Sequence, residues 1–532
     1  MSQSGHLQAA RDEESLAVAA APPPFVSILF PNGTANLHAV GEPPCSRDLN
    51  LDQVVEAVTD KREEYDLVPF FRTPLSSVEQ IEYRHEVFRD VDVPAVHDAL
   101  REFGERMHRV RSFLTLVRKQ HYKPEKQRWL LDAAALYTEA VRDLTSALGD
   151  VELASTGLRA FAAYLDEHVA GASFTSLTDE AAAVLDGLDQ ATYNLRINGA
   201  RVTVSRYEDE PDYSDEIEGL FARFRQGDVE SKLIKVADGG SMDHVEAQIA
   251  QLVGRLFPHE FQALGRFCSR HAEFIDPTVA AFDREIQFYL AWVDYRESVS
   301  SGTDLVFSYP EVSAESKQEV VDDAFDVALA WKLRSGGGEV VRNGYRLDGT
   351  GRFLVVTGPN QGGKTTFARM FGQLHYLAAL GVPVPARTAQ LFLVDRIFTH
   401  FEREEVVGSL RGKLNDELVR VRDILDTVTA SSVVVLNEMF SSATLADARD
   451  LGMEVLNDLI ARDGLGVCVT FIDELSRLGE ATVSMVAQVA PDDPAKRTYR
   501  VLPQPADGRA YAWAIAKKYG LSYEQLLERL SS

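Results

Sequence analysis

Cysteine is scarce in this 532-residue chain. The three cysteines, Cys45, Cys268 and Cys468, are odd in number and far apart, which excludes both a disulfide framework and a CxxC zinc site. Such sparse usage is typical of proteins from a reducing compartment.

Long apolar runs are also absent from the sequence. No window approaches the roughly 20 apolar residues that a membrane-spanning helix requires. Residues 1–25 are acidic and rich in Ala and Pro, whereas a secretion signal begins with a basic segment and a long apolar run. We therefore expect a cytoplasmic protein that does not act at a membrane.

Positive charge is in short supply. The chain has 55 Lys and Arg against 81 Asp and Glu, which gives a net charge of -26. Because phosphate contacts come from Lys and Arg, this balance taken alone argues against tight nonspecific binding to nucleic acid. A local basic face is still compatible with it. The length predicts several domains, since one domain usually has roughly 100–200 residues.

Helical periodicity dominates residues 51–335. Its clearest run has apolar residues at alternating steps of four and three, which is a heptad seam. We interpret the seam as a helix buried in a bundle, with a coiled coil to another chain as the alternative. An Asn-Gly dipeptide and alternating Val-Thr-Val predict a short hairpin near residues 194–206. The seam comprises Val96, Leu100, Phe103, Met107, Val110, Leu114 and Val117.

The glycine-rich stretch after Ser335 marks the predicted domain boundary. Beyond it, short apolar runs rich in β-branched residues alternate with helical segments, a pattern typical of strands buried on both faces of a mostly parallel sheet. We therefore divide the chain into three parts. These are an N-terminal tail with a small mixed segment at 1–50, a mainly helical domain at 51–335 and an α/β domain at 336–532.

The strongest motif follows the apolar run FLVVT and precedes a helical segment. It matches GxxxxGK[ST], a phosphate-binding loop, in the strand–loop–helix context that this motif requires. Glycines let backbone N–H groups surround phosphates, and the helix N-terminus adds partial positive charge. Lys364 then reaches the β- and γ-phosphates of ATP, and the Thr365 hydroxyl binds Mg²⁺. The predicted nucleotide-binding residues here are Gly358, Pro359, Asn360, Gln361, Gly362, Gly363, Lys364, Thr365 and Thr366.

A second polar site is needed to hold the metal and activate water. The apolar run SVVVLNE ends in polar residues, where such a site would lie at the carboxyl edge of the sheet. Glu438 is the candidate general base and, with Lys364, the candidate catalytic pair. Asn437 stands where P-loop enzymes usually have an Asp, and a structural role is equally open for it. Thr365, Asn437 and Glu438 are therefore the candidate metal residues.

At these positions the sequence resembles the MutS family of DNA-handling ATPases, whose loop reads GPN-x-GGK-[ST]-[ST] where this chain has GPNQGGKTT. The resemblance makes Asn343, in the adenine-side segment, a further nucleotide-binding candidate. It implies an α/β P-loop NTPase domain with a mostly parallel sheet, C-terminal to a mainly α-helical core/lever domain. It also implies a homodimer that acts on DNA in repair or recombination. The similar segments are VRN at 341–343, VPA at 384–386, DRIFT at 395–399, NE at 437–438 with FSSATLADA after it, TFIDEL at 470–475, and a closing helix-turn-helix at 510–530.

Several positions depart from the family pattern. About 50 residues precede the helical region, fewer than most independent domains have, so we expect no mismatch-reading domain. A Phe-x-Glu resembling that domain's wedge begins at Phe103, but this residue belongs to the heptad seam. The family's switch histidine is replaced by Phe471, and its trans-acting Ser-Thr falls on Gly412 and Lys413. With Asn437, these changes bear on hydrolysis rate and coupling, not on nucleotide binding.

The sequence leaves three functional hypotheses. The first is a homodimeric ATPase that senses DNA structure, such as branches or ends, rather than mismatches. The second is an ATP-gated dimeric scaffold that does not bind DNA, which the charge of -26 favours. The third, a small-molecule kinase, would need a lid and an acceptor pocket for which residues 340–530 show no obvious room. A basic stripe would favour the first over the second, although a solvated helix face explains the same residues. The candidates for it are Arg106, Arg109, Arg111, Arg118 and Lys119.

Overall fold

The computed structural model describes residues 25–33, 41–199, 201–208, 242–402, 412–493 and 496–506. The chain divides into two compact units. The helical unit consists of Met1–Val26 and Arg109–Phe274, and the sheet unit consists of Ser27–His108 and Ile275–Ser532. The predicted tail at 1–24 and the predicted helix-turn-helix at 510–530 lie outside the described residues.

Helices and strands occupy most of the described chain. Helices α1 to α14 are Leu51–Thr59, Val68–Phe71, Val78–Val91, Pro94–Lys119, Lys123–Gly149, Thr156–Ala170, Ala172–Asp189, His244–Leu256, Pro258–Arg270, Pro277–Ser300, Val327–Leu333, Lys364–Ala379, Lys413–Thr427 and Leu445–Ala461. Strands β1 to β12 are Tyr193–Asn198, Arg201–Arg206, Glu311–Ser313, Glu319–Ala324, Asn343–Leu347, Phe353–Thr357, Thr388–Phe392, Arg396–His400, Ser432–Asn437, Leu465–Val469, Thr482–Val489 and Arg497–Pro503. Two short 3-10 turns lie at Glu63–Tyr65 and Asp473–Arg477.

The heptad seam lies on α4. Its first five residues, from Val96 to Val110, are buried, and the last two are half-buried. The Phe103 ring packs 6.1 Å from the Phe282 ring of α10, centroid to centroid. A Cβ on Gly104 would lie 2.7 Å from Gln287 Nε2, so the two helices approach closely at that glycine. The seam therefore packs within this chain, as in the bundle interpretation.

A six-stranded sheet has the order β12-β11-β6-β10-β9-β8. Its strands are parallel except β12, which pairs antiparallel with β11. Every residue of β6, β9 and β10 is buried, which explains why their sequences are continuous apolar runs rather than alternating ones. The carboxyl ends of these three strands lie at one edge of the sheet, and polar residues follow each of them.

A second, four-stranded mixed sheet has the order β3-β7-β4-β5. β4 lies before Ser335, inside the region predicted as mainly helical, yet it pairs antiparallel with β5 and β7 beyond that residue. The two compact units accordingly do not divide the chain at Ser335, because strand pairing holds residues on both sides of the glycine-rich stretch in one unit.

The helical unit contains α5 to α9 and an antiparallel hairpin. Strands β1 and β2 pair from Tyr193 with Arg206 to Asn198 with Arg201, at the position where the sequence predicts a hairpin. Within the part of the chain that the structure describes, none of the helices is both long and apolar enough to cross a membrane.

Buried hydrogen bonds link helix α12 to two neighbouring segments of the chain. The Gln373 side chain donates to the Leu49 carbonyl oxygen at 2.9 Å and to Asp326 Oδ1 at 2.8 Å. Its Oε1 accepts from the Val327 N–H at 2.9 Å. A Cβ on Gly372 would lie only 2.6 Å from Leu49 Cδ2. The helix that starts at the glycine motif is thus tied both to α11 and to the segment before α1.

Candidate functional site

A glycine loop (residues 358–363) connects the buried strand β6 to α12. Gly358 and Gly363 have φ angles of 117° and 93°, in the left-handed region that favours glycine. A Cβ on Gly358 would also lie 2.9 Å from the Ala487 carbonyl oxygen. Gly363 is the N-cap of α12 and contributes no side-chain cap, so the first turn of the helix keeps its capacity to bind an anion.

Lys364, the first residue of α12, folds back over the glycine loop. Its side chain is 4% exposed, and its Nζ donates to the carbonyl oxygens of Gly358 at 3.0 Å and Pro359 at 3.3 Å. It also donates to Asn360 Oδ1 at 3.3 Å and lies 3.9 Å from Glu438 Oε1. Burial lowers the pKa of the Lys364 ammonium, and the Glu438 carboxylate opposes that shift. A buried cation held mainly by neutral oxygens favours an anion nearby.

Thr365 is linked to the end of β9. Its Oγ1 donates to Asn437 Oδ1 at 3.1 Å, and the Glu438 carboxylate follows Asn437 in the chain. Hydroxyl, amide and carboxylate oxygens are ligands that Mg²⁺ accepts, and Mg²⁺ in nucleotide sites takes further oxygens from phosphates and water. Among the described residues, no group of three or more His, Cys, Asp or Glu side chains is arranged to hold a metal. The three oxygen donors therefore fit a Mg²⁺ ion that is bound together with phosphates.

Glu438 is held in an unusual backbone conformation directly after β9. Its φ is 54°, and that of Phe440 is 57°, a left-handed region that residues with side chains rarely adopt. The Glu438 N–H donates to the Val469 carbonyl oxygen at 2.9 Å, which fixes it against the end of β10. Its side chain is 30% exposed, so the carboxylate is accessible to water beside Lys364. Such strain is typical of functional sites.

Strand β12 forms the other wall of the site. The Asn343 side chain makes two hydrogen bonds to β12. Its Nδ2 donates to the Tyr499 carbonyl oxygen at 3.2 Å, and its Oδ1 accepts from the Val501 N–H at 2.7 Å. Tyr499 has a left-handed φ of 58°. A Cβ on Gly363 would lie 3.4 Å from the Tyr499 backbone, so the wall directly contacts the glycine loop.

A cavity of about 520 Å³ lies between these walls. It brings together most of the predicted site residues, namely Asn343, Asn360, Gln361, residues 363–366 and Glu438. The other four predicted residues do not line the cavity but form hydrogen bonds in the layer next to its lining residues. Gly358 and Pro359 supply carbonyl oxygens to Lys364, Gly362 donates its N–H to the Pro359 carbonyl oxygen, and Asn437 accepts from Thr365.

Five residues of the cavity wall were not predicted as site residues, and two of them, Glu339 and Val341, precede β5. Leu329 and Leu333, four residues apart on α11, form an apolar part of the wall, and Tyr499 faces the cavity from β12. The leucine spacing indicates one face of a helix, but nothing in it points to this site. Tyr499 is placed by a strand that pairs with β11, which local sequence does not reveal.

The positions that depart from the family pattern lie around the same edge. Phe471, directly after β10 and Thr470, is 48% exposed. Lys413, at the start of α13, forms an ion pair with Glu402 at 2.5 Å, and Glu402 Oε1 also accepts from Ser441 Oγ at 3.3 Å. Within this chain Lys413 therefore neutralises a carboxylate close to the loop that follows Glu438.

A basic groove lies on the helical unit, separate from the cavity. It is lined by Lys123 at the start of α5 and by Arg266 and Arg270 of α9. Lys123 and Arg266 are exposed, whereas Arg270 is paired with Glu180 at 2.5 Å. The groove concentrates positive charge in a chain whose net charge is -26.

Part of the chain is similar to known proteins. Residues 354–524, which include the glycine loop, Glu438 and β12, match the family described as MutS domain V. This part of the chain is therefore similar to a domain of the MutS family.

Individual relatives match part of the chain. The chain is 29% identical over 206 residues to the endonuclease MutS2 of Gemmatimonas aurantiaca and 29% identical over 192 residues to that of Thermus thermophilus. It is 30% identical over 193 residues to the DNA mismatch repair protein MutS of Ruminiclostridium cellulolyticum. These matches cover 37%, 36% and 36% of this chain. They span 24%, 26% and 22% of the relatives' own lengths, so the likeness covers about a quarter of each relative.

Proposed function

We propose that the sheet unit binds ATP with Mg²⁺ in the cavity between the glycine loop and β12, and that it hydrolyses the γ-phosphate bond. The observation that carries this proposal is the convergence of Lys364, the Thr365–Asn437 pair and Glu438 at one sheet edge. These groups supply a cation, neutral metal ligands and a carboxylate, which are the parts that phosphoryl transfer requires. The similarity of residues 354–524 to MutS domain V supports the same activity.

Each residue has a role in this reaction. Backbone N–H groups of the glycine loop and α12 hold the β-phosphate, and Lys364 neutralises charge on the outer phosphates. Thr365 and Asn437 would hold Mg²⁺, and the ion would neutralise negative charge on the phosphates. Glu438 orients the attacking water from the accessible side of the cavity. Asn437 brings no charge to the metal, so we expect weaker Mg²⁺ binding than an Asp at this position would give.

Action on DNA as a homodimer is the second part of the proposal. The relatives' names include a mismatch repair protein and an endonuclease, and the basic groove of the helical unit offers a place for DNA phosphates. The five basic candidates on α4 give weaker support for DNA binding than the basic groove does. Helical residues turn roughly 100° per step, so Arg106 and Arg109 lie on a different side of α4 from Arg111 and Arg118. Arg106 is also paired with Glu102 at 2.5 Å.

An ATP-gated scaffold that does not bind DNA is the alternative function. The net charge of -26 favours it, since a protein that covers phosphates usually concentrates Lys and Arg. Both functions share the nucleotide site and the dimer. They differ in one measurable property, which is retention of DNA by the ATP-bound protein.

The test combines nucleotide binding and turnover. Lys364→Ala should abolish measurable ATP binding, because the buried ammonium is the main positive charge at the loop. Glu438→Gln should still bind ATP but lose turnover by roughly 100-fold or more, the size of a general-base effect. Binding is measured by calorimetry and turnover by phosphate release, each with and without branched DNA. Lys332→Ala, at an exposed lysine of α11, is the control and should leave both unchanged.

Two outcomes decide between the possibilities. ATP affinity that persists in Lys364→Ala would contradict the assignment of the site. If Glu438→Gln binds ATP but neither retains branched DNA nor gains affinity for it, and if DNA does not change wild-type turnover, the scaffold function replaces DNA binding.

A further inference from the structure

Two cations from distant parts of the chain meet at Asn360 in the glycine loop. Lys364 Nζ donates to its side-chain oxygen at 3.3 Å, and Arg497 Nε donates to its carbonyl oxygen at 3.1 Å. Arg497 is the first residue of β12, 137 residues after Asn360. The guanidinium is therefore placed at the loop by strand pairing rather than by the motif.

The position of Arg497 is fixed by the construction of β12. Arg497 pairs with Val489 of β11 just beyond an irregularity in the register. Two residues later, the left-handed Tyr499 is held by Asn343, and Arg497 and Tyr499 both meet the glycine loop. The strand therefore brings both the Arg497 guanidinium and the Tyr499 backbone to the glycine loop.

The positive charges of Lys364 and Arg497 at the loop favour the binding of a polyanion. The Lys364 ammonium and the Arg497 guanidinium both donate to Asn360, and the Glu438 carboxylate lies 3.9 Å from Lys364 Nζ. Arg497 is half-buried. Two like charges at one loop repel each other in a site partly shielded from water, and a bound anion with several negative charges relieves that repulsion.

We infer that Arg497 is a second phosphate-binding residue, which acts from the same chain as Lys364 and contacts the outer phosphates of the nucleotide. The inference rests on the proposed ATP site and assigns to it a residue outside the glycine motif. A guanidinium presents several N–H donors in one plane, so Nε can keep its bond to Asn360 while the terminal nitrogens bind phosphate oxygens. Phosphate binding would then also draw β12 onto the loop.

The test separates a phosphate contact from a structural role of β12. Arg497→Gln should weaken ATP binding roughly 10- to 100-fold, the effect of losing a hydrogen bond to a charged group. Adenosine, which has no phosphate, should compete for the site equally well with wild type and variant. Arg497→Lys, which keeps the charge, should be intermediate. Arg500→Gln, on the same strand beside Asp323, should keep wild-type affinity for both ligands.

The outcomes distinguish this inference from the proposed function. A wild type that does not bind ATP overturns both. A wild type that binds ATP while Arg497→Gln binds it equally well overturns only the role of Arg497. Equal weakening of ATP and adenosine binding by Arg497→Gln overturns it too, because this would show that the arginine merely holds β12 in place. Selective loss of ATP affinity, with adenosine unchanged, supports it.

Discussion

At the residue scale, four non-glycine residues at the site have left-handed backbones. They are Gln361 in the glycine loop, Glu438 and Phe440 after β9, and Tyr499 on β12. Each such conformation costs on the order of 1–3 kcal/mol and persists only where surrounding contacts impose it. Here the Glu438 N–H is bonded to Val469 and the Tyr499 carbonyl oxygen to Asn343. Gln361, Glu438 and Tyr499 line the cavity, so three of these four strained residues lie in its wall.

A buried histidine provides a prediction at this scale. His375 of α12 lies within hydrogen-bond distance of Glu319 Oε1, at 2.7 Å, and of the Phe371 carbonyl oxygen, at 2.9 Å. Burial alone lowers the pKa of His375, but the charge and hydrogen bond of Glu319 outweigh it and raise the pKa above its ordinary value. The stability from protonated His375 is therefore complete below about pH 6.5, the ordinary value, and is lost as pH rises through the raised pKa.

Substitution of His375 should show this pH dependence. His375→Gln cannot become charged, so the difference in melting temperature between wild type and variant should be largest below about pH 6 and shrink as the pH increases. Thermal denaturation at a series of pH values measures it. His259→Gln, at an exposed histidine, should melt like the wild type throughout. A difference that stays constant with pH would show that His375 acts by packing alone.

At the element scale, α12 depends on a close approach at its centre. Gly372 lies against Leu49, which is completely buried, and an added Cβ would lie 2.6 and 2.8 Å from its two methyl carbons. This contact brings the segment before α1 directly onto the helix that begins at the glycine loop. Beside it, Gln373 joins the same helix to α11, which lines the cavity.

Gly372→Ala should therefore destabilise the protein. Ala in a helix interior normally gains about 0.5–1 kcal/mol over Gly, but overpacking at a filled site costs about 1–3 kcal/mol. We expect a net loss of about 1 kcal/mol, measured as a lower melting temperature. Gly187→Ala on α7 is the matched control, since its Cβ would meet nothing closer than Glu260 Cγ at 3.9 Å. That variant should be neutral or more stable, and an equally stable Gly372→Ala would disprove the close packing.

At the scale of the whole molecule, the net charge disfavours DNA binding, whereas the local charge of one groove favours it. A net charge of -26 disfavours nucleic acid, whereas Lys123 and Arg266 place exposed positive charge in one groove of the helical unit. Binding of DNA is set by the local field at the contact, because interactions between exposed charges are screened within about 10 Å at ordinary ionic strength. The distribution of charge therefore matters more here than its sum.

The groove leads to a prediction about salt dependence. If DNA phosphates bind there, log K falls linearly with log salt concentration, and each lost contact reduces the slope by roughly 0.9. Lys123→Ser with Arg266→Ser should reduce the slope by about 2 in fluorescence anisotropy with branched DNA and ATP. Lys332→Ser with Arg422→Ser removes the same charge from exposed positions of the sheet unit. Equal effects of both pairs would show a general charge effect and no DNA contact in the groove.

The chemistry of the site follows from short motifs in the sequence. The glycine loop, Lys364, Thr365 and the strand-end pair Asn437–Glu438 are each encoded within a few neighbouring residues. The buried runs predict β6, β9 and β10 because strands covered on both faces need continuous apolar sequence. These local signals also carry the resemblance to the MutS family, which the match to domain V confirms.

What the sequence did not determine depends on pairing between distant segments. Strands β3 and β4 were assigned to the helical region because their sheet partners follow the glycine-rich stretch. Arg497 and Tyr499 were not predicted at the site because a strand 137 residues beyond Asn360 brings them there. Sequence alone thus determined the residues of the glycine loop and the strand end that we propose for ATP binding, since their spacing is local. Only the tertiary structure decided which residues surround them, because those contacts arise from sheet order and helix packing.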